Sequence, residues 1–562
     1  MKSDLEIAQS VKLKDIGEIA ASAGIRDSEL ERYGRHKAKI DLSILGRLAD
    51  RPDGRYIMVT AITPTPLGEG KTVTNISLAL GLARLGKRVI NTLRQPSMGP
   101  VFGVKGGATG GGLAQVLPME DINLHFTGDI HAVAAAHNLL AAMLDNHLHH
   151  GNVLGFDPKE VYWNRTLDMN DRTLRQIVIG LGGTPNGITR ESGYDITAAS
   201  EVMAILALAE GYADLKKRIG SILVGVSRAG RPIWCRELAA QGAMAALLRD
   251  ALKPNLVQTI EGTPCLMHAG PFANVAHGNN SILADRIALK LADFVVTESG
   301  FGSDTGAEKF VDIKCRMSGL KPHAAVLVAT VRALKMYGGA FRNLKDRKAV
   351  ETENVDAVLR GCANLDKHVE NVRMFGLPVV VAINRFPSDT DREIEAVIAR
   401  AIEAGAAAAV PHEGVARGGE GAVALARAVV AASEQGPAPV RYLYDLDQPI
   451  EDKIGIIARE VYGAGEVDLS PKARRRIDFF NECGLSRLPI CMAKTPASLS
   501  HDPSLRGRPR GFKFPITDIR AAAGAGFIYP LAGEIMTMPG LPTTPSAANV
   551  DVDETGRITG LF

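Results

Sequence analysis

YIMVTAI (Tyr56–Ile62) runs directly into TPTPLGEGKT (Thr63–Thr72), and this join decides how the chain folds. The first piece is short, apolar, rich in β-branched residues and bounded by turn formers, which predicts a strand buried on both faces. Beyond the loop, Val73, Ile76, Leu80 and Ala83 recur at helical spacing and predict a helix from about Thr72 to Leu85 with one face on a core. Gly86 stops it, and RVINTL (Arg88–Leu93) predicts a second strand. Strand, glycine loop, helix and strand within about 40 residues form a βαβ unit, normally right-handed and parallel.

Thr65, Pro66, Leu67, Gly68, Glu69, Gly70, Lys71 and Thr72 form the loop itself, and its residue types suit phosphate. Gly68 and Gly70 let backbone N–H groups reach phosphate oxygens with no Cβ in the way. The N-terminus of the following helix adds its dipole. Lys71 is placed to span the β- and γ-phosphates and Thr72 to ligate Mg²⁺, so ATP with Mg²⁺ is the expected ligand. One departure stands out: GxxxxGK(S/T) begins with Gly, and Thr65 takes that position. A plain glycine turn is the competing reading, and the strand-to-helix context weighs against it. Where the phosphoryl group goes is not written in such a loop.

Working outward, further apolar runs at Ser221–Val226, Phe294–Thr297, Ala324–Val331 and Pro378–Ile383 alternate with helical patterns, the mark of a parallel sheet covered on both faces. Thr390-Asp391-Arg392-Glu393 opens a helix with a capping box and buries Ile394, Val397, Ile398, Ala401 and Ile402. Ala404–Ala409 reads as helix or helix end. The first fifty residues read as charged and helical, and the last hundred, with RGRPR (Arg506–Arg510), as a separate small unit. The expected fold is therefore α/β. Its provisional units are a nucleotide-binding and catalytic domain over residues 1–358, a second α/β domain over 359–460, and a small C-terminal domain over 461–562.

Composition narrows the function. The 562 residues carry 65 Lys+Arg against 62 Asp+Glu, a net charge of +3, and this argues against a dedicated nucleic-acid binder. No run approaches 18 consecutive apolar residues, so no membrane span is expected, and the N-terminus lacks a secretory pattern. Six cysteines stand far apart with no CxxC, which suits reduced, buried thiols in a cytoplasmic enzyme better than zinc or disulfides. His147, His149 and His150 follow a helical run and read as its solvated end.

After the second strand comes RQPSMGPVFGVKGGATGGG (Arg94–Gly112), with seven glycines from Gly99 to Gly112. Glycine at this density costs order on folding, so it implies backbone brought close to a ligand or to another chain. Arg94, at a strand's C-terminal end beside a phosphate loop, is placed to hold an anion. These stretches, with PMEDINLHFTGD (Pro118–Asp129), GPFANVAHGN (Gly270–Asn279), VATVRALKMYGG (Val328–Gly339), AINRFPSDTD (Ala382–Asp391) and AGAGFIYPLAGEIMTMPGLP (Ala523–Pro542), resemble the formate–tetrahydrofolate ligases in order over the whole chain.

The resemblance implies a P-loop NTPase-type parallel sheet domain with two smaller domains, and a homotetramer. It implies formate, ATP and tetrahydrofolate as substrates, with Mg²⁺ and a monovalent cation, K⁺ or NH₄⁺. Lys71 and Arg94 would be catalytic, the second clamping formate and then formyl phosphate. Phe386 and Pro387 would form a platform for the pterin, with Asp129 and the position of Val415 contributing. Asp121 joins Thr72 as a candidate for Mg²⁺, and Glu120, Glu298 and Asp304 are further candidates. Asn274 and His277 lie in the GPFANVAHGN loop, the latter as pocket residue or loop staple.

The chain departs from the family pattern at several places. Val415 stands where a stacking Trp is usual, Leu113 where Tyr is usual, Thr109 for Ala, Tyr337 for His or Asn, and Gln95 for Glu. These departures are expected to gather at the pterin end, leaving ATP and formate chemistry intact while altering folate affinity. The alternatives are a paralogue of altered folate specificity, a non-catalytic paralogue, and a P-loop ATPase that is not a ligase.

Overall fold

The computed structural model describes residues 2–104, 109–341, 346–434 and 436–561. The glycines at 106 and 107 lie outside the described residues. Ten strands form one continuous sheet: β1 (Leu30–Arg32), β2 (Ala38–Ile40), β3 (Arg55–Ala61), β4 (Val89–Leu93), β5 (Asn255–Thr259), β6 (Pro264–Met267), β7 (Phe294–Glu298), β8 (Ala324–Ala329), β9 (Val379–Asn384) and β10 (Ala408–His412). Their spatial order is β1-β2-β5-β6-β4-β7-β3-β8-β9-β10, and two short strands, Gly110–Gly111 and Ala114–Leu117, attach beside β5. From β6 to β10 all neighbours are parallel.

The strand from Tyr56 is apolar throughout because both its faces are covered. Tyr56 and Met58 enter one hydrophobic cluster, while Ile57, Val59 and Ala61 enter another on the opposite face. The helix after the loop spans Lys71–Arg84 and packs Leu78, Ala79 and Leu82 on that second face. β3 and β4 are parallel as expected, yet not adjacent: β7 pairs with both and lies between them. The Thr390 capping box is present, with the helix spanning Asp391–Glu403.

Three expectations need correction. The strand near Ser221–Val226 forms as Leu223–Ser227 in a separate antiparallel sheet with Phe156–Val161 and Pro232–Trp234. The link to Pro232 is too short for a parallel crossover, so hairpin pairing wins. Ala408–His412 is an edge strand, not a helix end, because pairing to Val380–Asn384 overrides alanine's preference. The first fifty residues contain helices Asp4–Ser10 and Ile16–Ala23, and also β1 and β2.

The division at 358/359 falls inside the helix Val355–Met374, and beyond it β9 and β10 continue the ladder from β8, so residues 359–412 share the central sheet. Likewise the core of the C-terminal unit takes in Tyr444, Ile450, Ile454 and Ile457 together with Phe480, Phe514 and Ile528, starting before 461. No helix among the described residues is long and apolar enough to cross a membrane.

Candidate active site

The loops that leave the C-terminal ends of β4, β7, β3, β8 and β9 lie side by side, the place where open parallel sheets hold ligands. At the centre is Thr65–Thr72. Its carbonyls are turned away and engaged: Thr65 O accepts from Gly68 N at 3.0 Å and Gly70 O from Thr74 N at 2.8 Å. Arg332 Nη2 donates to Leu67 O at 2.9 Å and to Gly68 O at 2.8 Å, and Asn384 Nδ2 to Glu69 O at 3.1 Å. The helix begins at Lys71, so the amides of Thr72 and Val73 precede its intrahelical hydrogen-bond ladder. The N–H groups of Thr65, Leu67 and Gly68 bond within the loop, so an anion would be met by amides nearer the helix start.

Two residue choices in this loop now have reasons. Thr65 replaces glycine because its N–H and hydroxyl both donate to Glu69 Oε1, at 2.9 and 2.7 Å, closing the loop. Gly70 has φ of 74°, and a Cβ there would meet Asn384 Nδ2 at 2.2 Å. Only glycine fits both demands.

Beneath the loop, three groups converge on Glu298, the last residue of β7. Lys71 Nζ lies 2.7 Å from its Oε1 and Thr72 Oγ1 donates to its Oε2 at 2.7 Å. Arg94 Nη2 is 3.7 Å from Oε1, while Arg94 Nη1 donates to Pro271 O at 3.1 Å. These residues line one cavity of about 530 Å³, together with Gln95, Phe272, Asn274, Phe301 and Gly110. Burial alone would raise the Glu298 carboxyl, but Lys71 and Arg94 outweigh it and hold it at about 2, below the usual 4.5.

The sign of that shift sets a pH dependence. A carboxyl lowered in the folded state contributes stability above its unfolded value, and this contribution is lost as the pH falls from about 4.5 towards 2. The lowering corresponds to roughly 3 kcal/mol. A Glu298→Gln variant is therefore expected to lose less stability than wild type between about pH 5 and about pH 3. Parallel urea-unfolding curves over that range check it; equal losses would mean that Glu298 is not held low.

The other expected residues are distributed unevenly. Phe386 is half-buried and Pro387 exposed on the loop after β9, and the Arg332 guanidinium lies 3.6 Å from the Phe386 ring centroid. Val415 follows β10, the neighbouring strand, with Asn384 and His412 paired in register. It is 40% exposed, so its side chain is accessible, and its carbonyl accepts from Leu113 N at 2.8 Å. A Cβ at Gly112 would come 2.2 Å from that carbonyl, so this glycine permits contact with another piece of chain.

Asp129 is buried, with Lys39 Nζ and Asn255 Nδ2 each 2.6 Å from one of its oxygens. Those bonds satisfy the carboxylate inside the protein. Its neighbours Thr127, Gly128 and Ile130 line a different cavity of about 680 Å³, which meets the first at Gln95. Asp121 is not brought to the loop: it is half-buried and pairs with Lys37 at 2.9 Å. Glu120 accepts from Gln9 at 2.8 Å, and Asp304 pairs with buried Lys494 at 2.7 Å. His277 is fully buried, and neither ring nitrogen has a hydrogen-bond partner among the described residues.

The departures from the family pattern do not all gather at one end. Val415 and Leu113 touch each other, but Tyr337 Oη donates to Thr63 O at 2.7 Å, immediately before the phosphate loop, and Gln95 lines the central cavity. Sequence reasoning missed Arg332 and Asn384 altogether and ranked Glu298 low. The available signal was position: each stands within a few residues of the C-terminal end of a parallel strand.

A family model described as formate–tetrahydrofolate ligase matches residues 2–562 of this chain. The curated formate–tetrahydrofolate ligase of Desulforamulus reducens is 57% identical over 563 residues, covering 100% of this chain and 99% of that protein. The protein of the same name from Roseiflexus sp. is 58% identical over 564 residues, covering 100% of both, and that of Roseiflexus castenholzii 57% over 566 residues, again covering both fully.

Proposed function

The chain belongs to the formate–tetrahydrofolate ligase family, and from that premise we propose that it joins formate to tetrahydrofolate at the expense of ATP, giving 10-formyltetrahydrofolate, ADP and phosphate. The observation that carries this reading is the meeting of Lys71, Thr72 and Arg94 on Glu298 in one cavity beneath a phosphate loop. Formate is a poor electrophile, because its charge is shared by two equivalent oxygens. A formate oxygen attacks the γ-phosphorus, the bond to the β-phosphate bridging oxygen breaks, and ADP departs. The formyl phosphate left behind is a mixed anhydride. The folate amine attacks its carbon and phosphate leaves.

Positioning and neutralisation of charge dominate the first step. The loop amides at Gly70 and Thr72 hold the phosphates, Lys71 spans them, and Arg94 holds formate and then formyl phosphate. These anions draw Lys71 and Arg94 away from Glu298. Thr72 Oγ1 and the Glu298 carboxylate offer hard oxygen donors side by side, which suits Mg²⁺, bound with ATP, whose role there is to neutralise phosphate charge. The Phe272-to-Asn274 segment, which lines the same cavity, helps to keep water from the anhydride. K⁺ or NH₄⁺, implied by the resemblance, is part of the same proposal.

For tetrahydrofolate we take Phe386 and Pro387 as the shelf for the pterin, with Val415 facing it from the next strand, and Asp129 as a residue that shapes the neighbouring wall. Homotetrameric assembly and a cytoplasmic location belong to the same reading. The experiment that tests it is formate-dependent ADP release, with and without tetrahydrofolate; release indifferent to formate would favour an ATPase that is not a ligase.

Val415 supports an altered folate preference within this activity, since it offers no ring. Val415→Trp is expected to tighten tetrahydrofolate by about 1 kcal/mol, roughly fivefold, through a second stacked ring. Titration of tetrahydrofolate checks this, and unchanged affinity would remove Val415 from the shelf.

A further inference from the structure

We propose that Arg332 is a positioning residue that ties the phosphate loop to the Phe386 shelf, so that a change at one is felt at the other; the shelf half rests on the folate reading above. Arg332 lies in the first turn of the helix Val331–Tyr337, which leaves β8, the strand between β3 with its phosphate loop and β9 with Phe386. One nitrogen, Nη2, holds both Leu67 O and Gly68 O, and the same guanidinium plane covers the Phe386 ring at 3.6 Å. A planar fork does both at once; a lysine ammonium has no plane to stack.

The surroundings hold Arg332 between two closed turns. Glu69 and Asp389, whose charges both act on Arg332, each close one of the pieces it joins. Glu69 accepts from Thr65 N and Oγ1 in the phosphate loop, and Asp389 Oδ2 accepts from Phe386 N at 2.8 Å. Arg332 Nε, also buried, has no hydrogen-bond partner among the described residues, so the side chain is fixed by its other contacts alone. Removing it frees two loop carbonyls, which can then turn towards the anion, and uncovers one face of Phe386. The loop carbonyls repel phosphate when they turn inward, so the first effect weakens phosphate binding. The second lets the ring move.

The test uses Mg²⁺ with inorganic tripolyphosphate, which probes the loop with no base to stack on Phe386. Calorimetric titrations compare wild type, Arg332→Lys, Arg332→Gln, Phe386→Leu and the Arg332→Gln/Phe386→Leu pair, with tetrahydrofolate titrated separately. Arg332→Gln is expected to weaken tripolyphosphate about tenfold and tetrahydrofolate about threefold. Phe386→Leu, which touches no phosphate, is expected to weaken tripolyphosphate about threefold alone and not at all once Arg332 is Gln. Arg332→Lys keeps the charge and is expected to recover part of the tripolyphosphate affinity without restoring the response to Phe386→Leu.

Full recovery of that response with lysine would overturn the proposal, as would effects of Phe386→Leu and Arg332→Gln that simply add, or an Arg332→Gln protein that binds tripolyphosphate like wild type. A wild-type protein that does not bind tripolyphosphate would instead sink the nucleotide reading, and this proposal with it.

Discussion

An Arg94→Ser variant is expected to bind MgADP within about twofold of wild type while losing roughly a thousandfold or more in formate-dependent turnover. Arg94 leaves the end of β4, two strands from the phosphate loop, and its guanidinium is shared between Pro271 O and Glu298 rather than the loop amides. It therefore contributes little to ADP. On the proposed function its charge serves the third body, formate, and the anhydride that formate becomes. Serine leaves that anion with Lys71 alone, in a cavity where a missing donor is not replaced cheaply by water. Formate-dependent ADP release measured beside MgADP titration separates the two effects. Turnover close to wild type would end the role given to Arg94, and a large loss of MgADP affinity would move that role to the nucleotide.

Lys71→Ala is expected to cost about 3 kcal/mol in transition-state stabilisation, roughly 150-fold in kcat/KM for ATP. Here binding and chemistry are expected to fall together, because on the proposed function Lys71 meets the phosphates before and during transfer. The variant should also release Glu298 from its nearest cation, at 2.7 Å, leaving Arg94 at 3.7 Å as its remaining basic partner. The Glu298 carboxyl then rises, and the acid limb of the residual activity moves to higher pH. A pH–rate profile with an unmoved acid limb would show that Glu298 does not govern it.

How much of this was legible in the sequence depended on whether the signal was local. The strand from Tyr56, the loop and the helix after it follow one another within a short stretch, and each is dictated by its own residues. So is the Thr390 capping box. Glycine loops also announce themselves, although Gly112 turned out to admit Val415 rather than a ligand. What was hidden depended on which strands become neighbours. Leu223–Ser227 is as apolar as β8, yet its short link to Pro232 sends it into another sheet. Arg332 and Asn384 look ordinary until β8 and β9 line up beside β3 and bring them against the loop's carbonyls. Asp129 was picked out by its motif, but burial beside Lys39 gives it an internal partner that no spacing along the chain could reveal.

The position of β3 at the middle of the sheet carries a consequence for how the protein is made. Its two neighbours, Phe294–Glu298 and Ala324–Ala329, are encoded more than two hundred residues downstream. At ordinary rates of synthesis the ribosome needs on the order of ten seconds to a minute to deliver them. Throughout that interval the nascent chain exposes an apolar strand with both edges unpaired, a template for aggregation unless a chaperone shields it. Nascent chains halted before Phe294 should therefore be caught by holdases and destroyed by protease, whereas those extended beyond Ala329 should begin to resist.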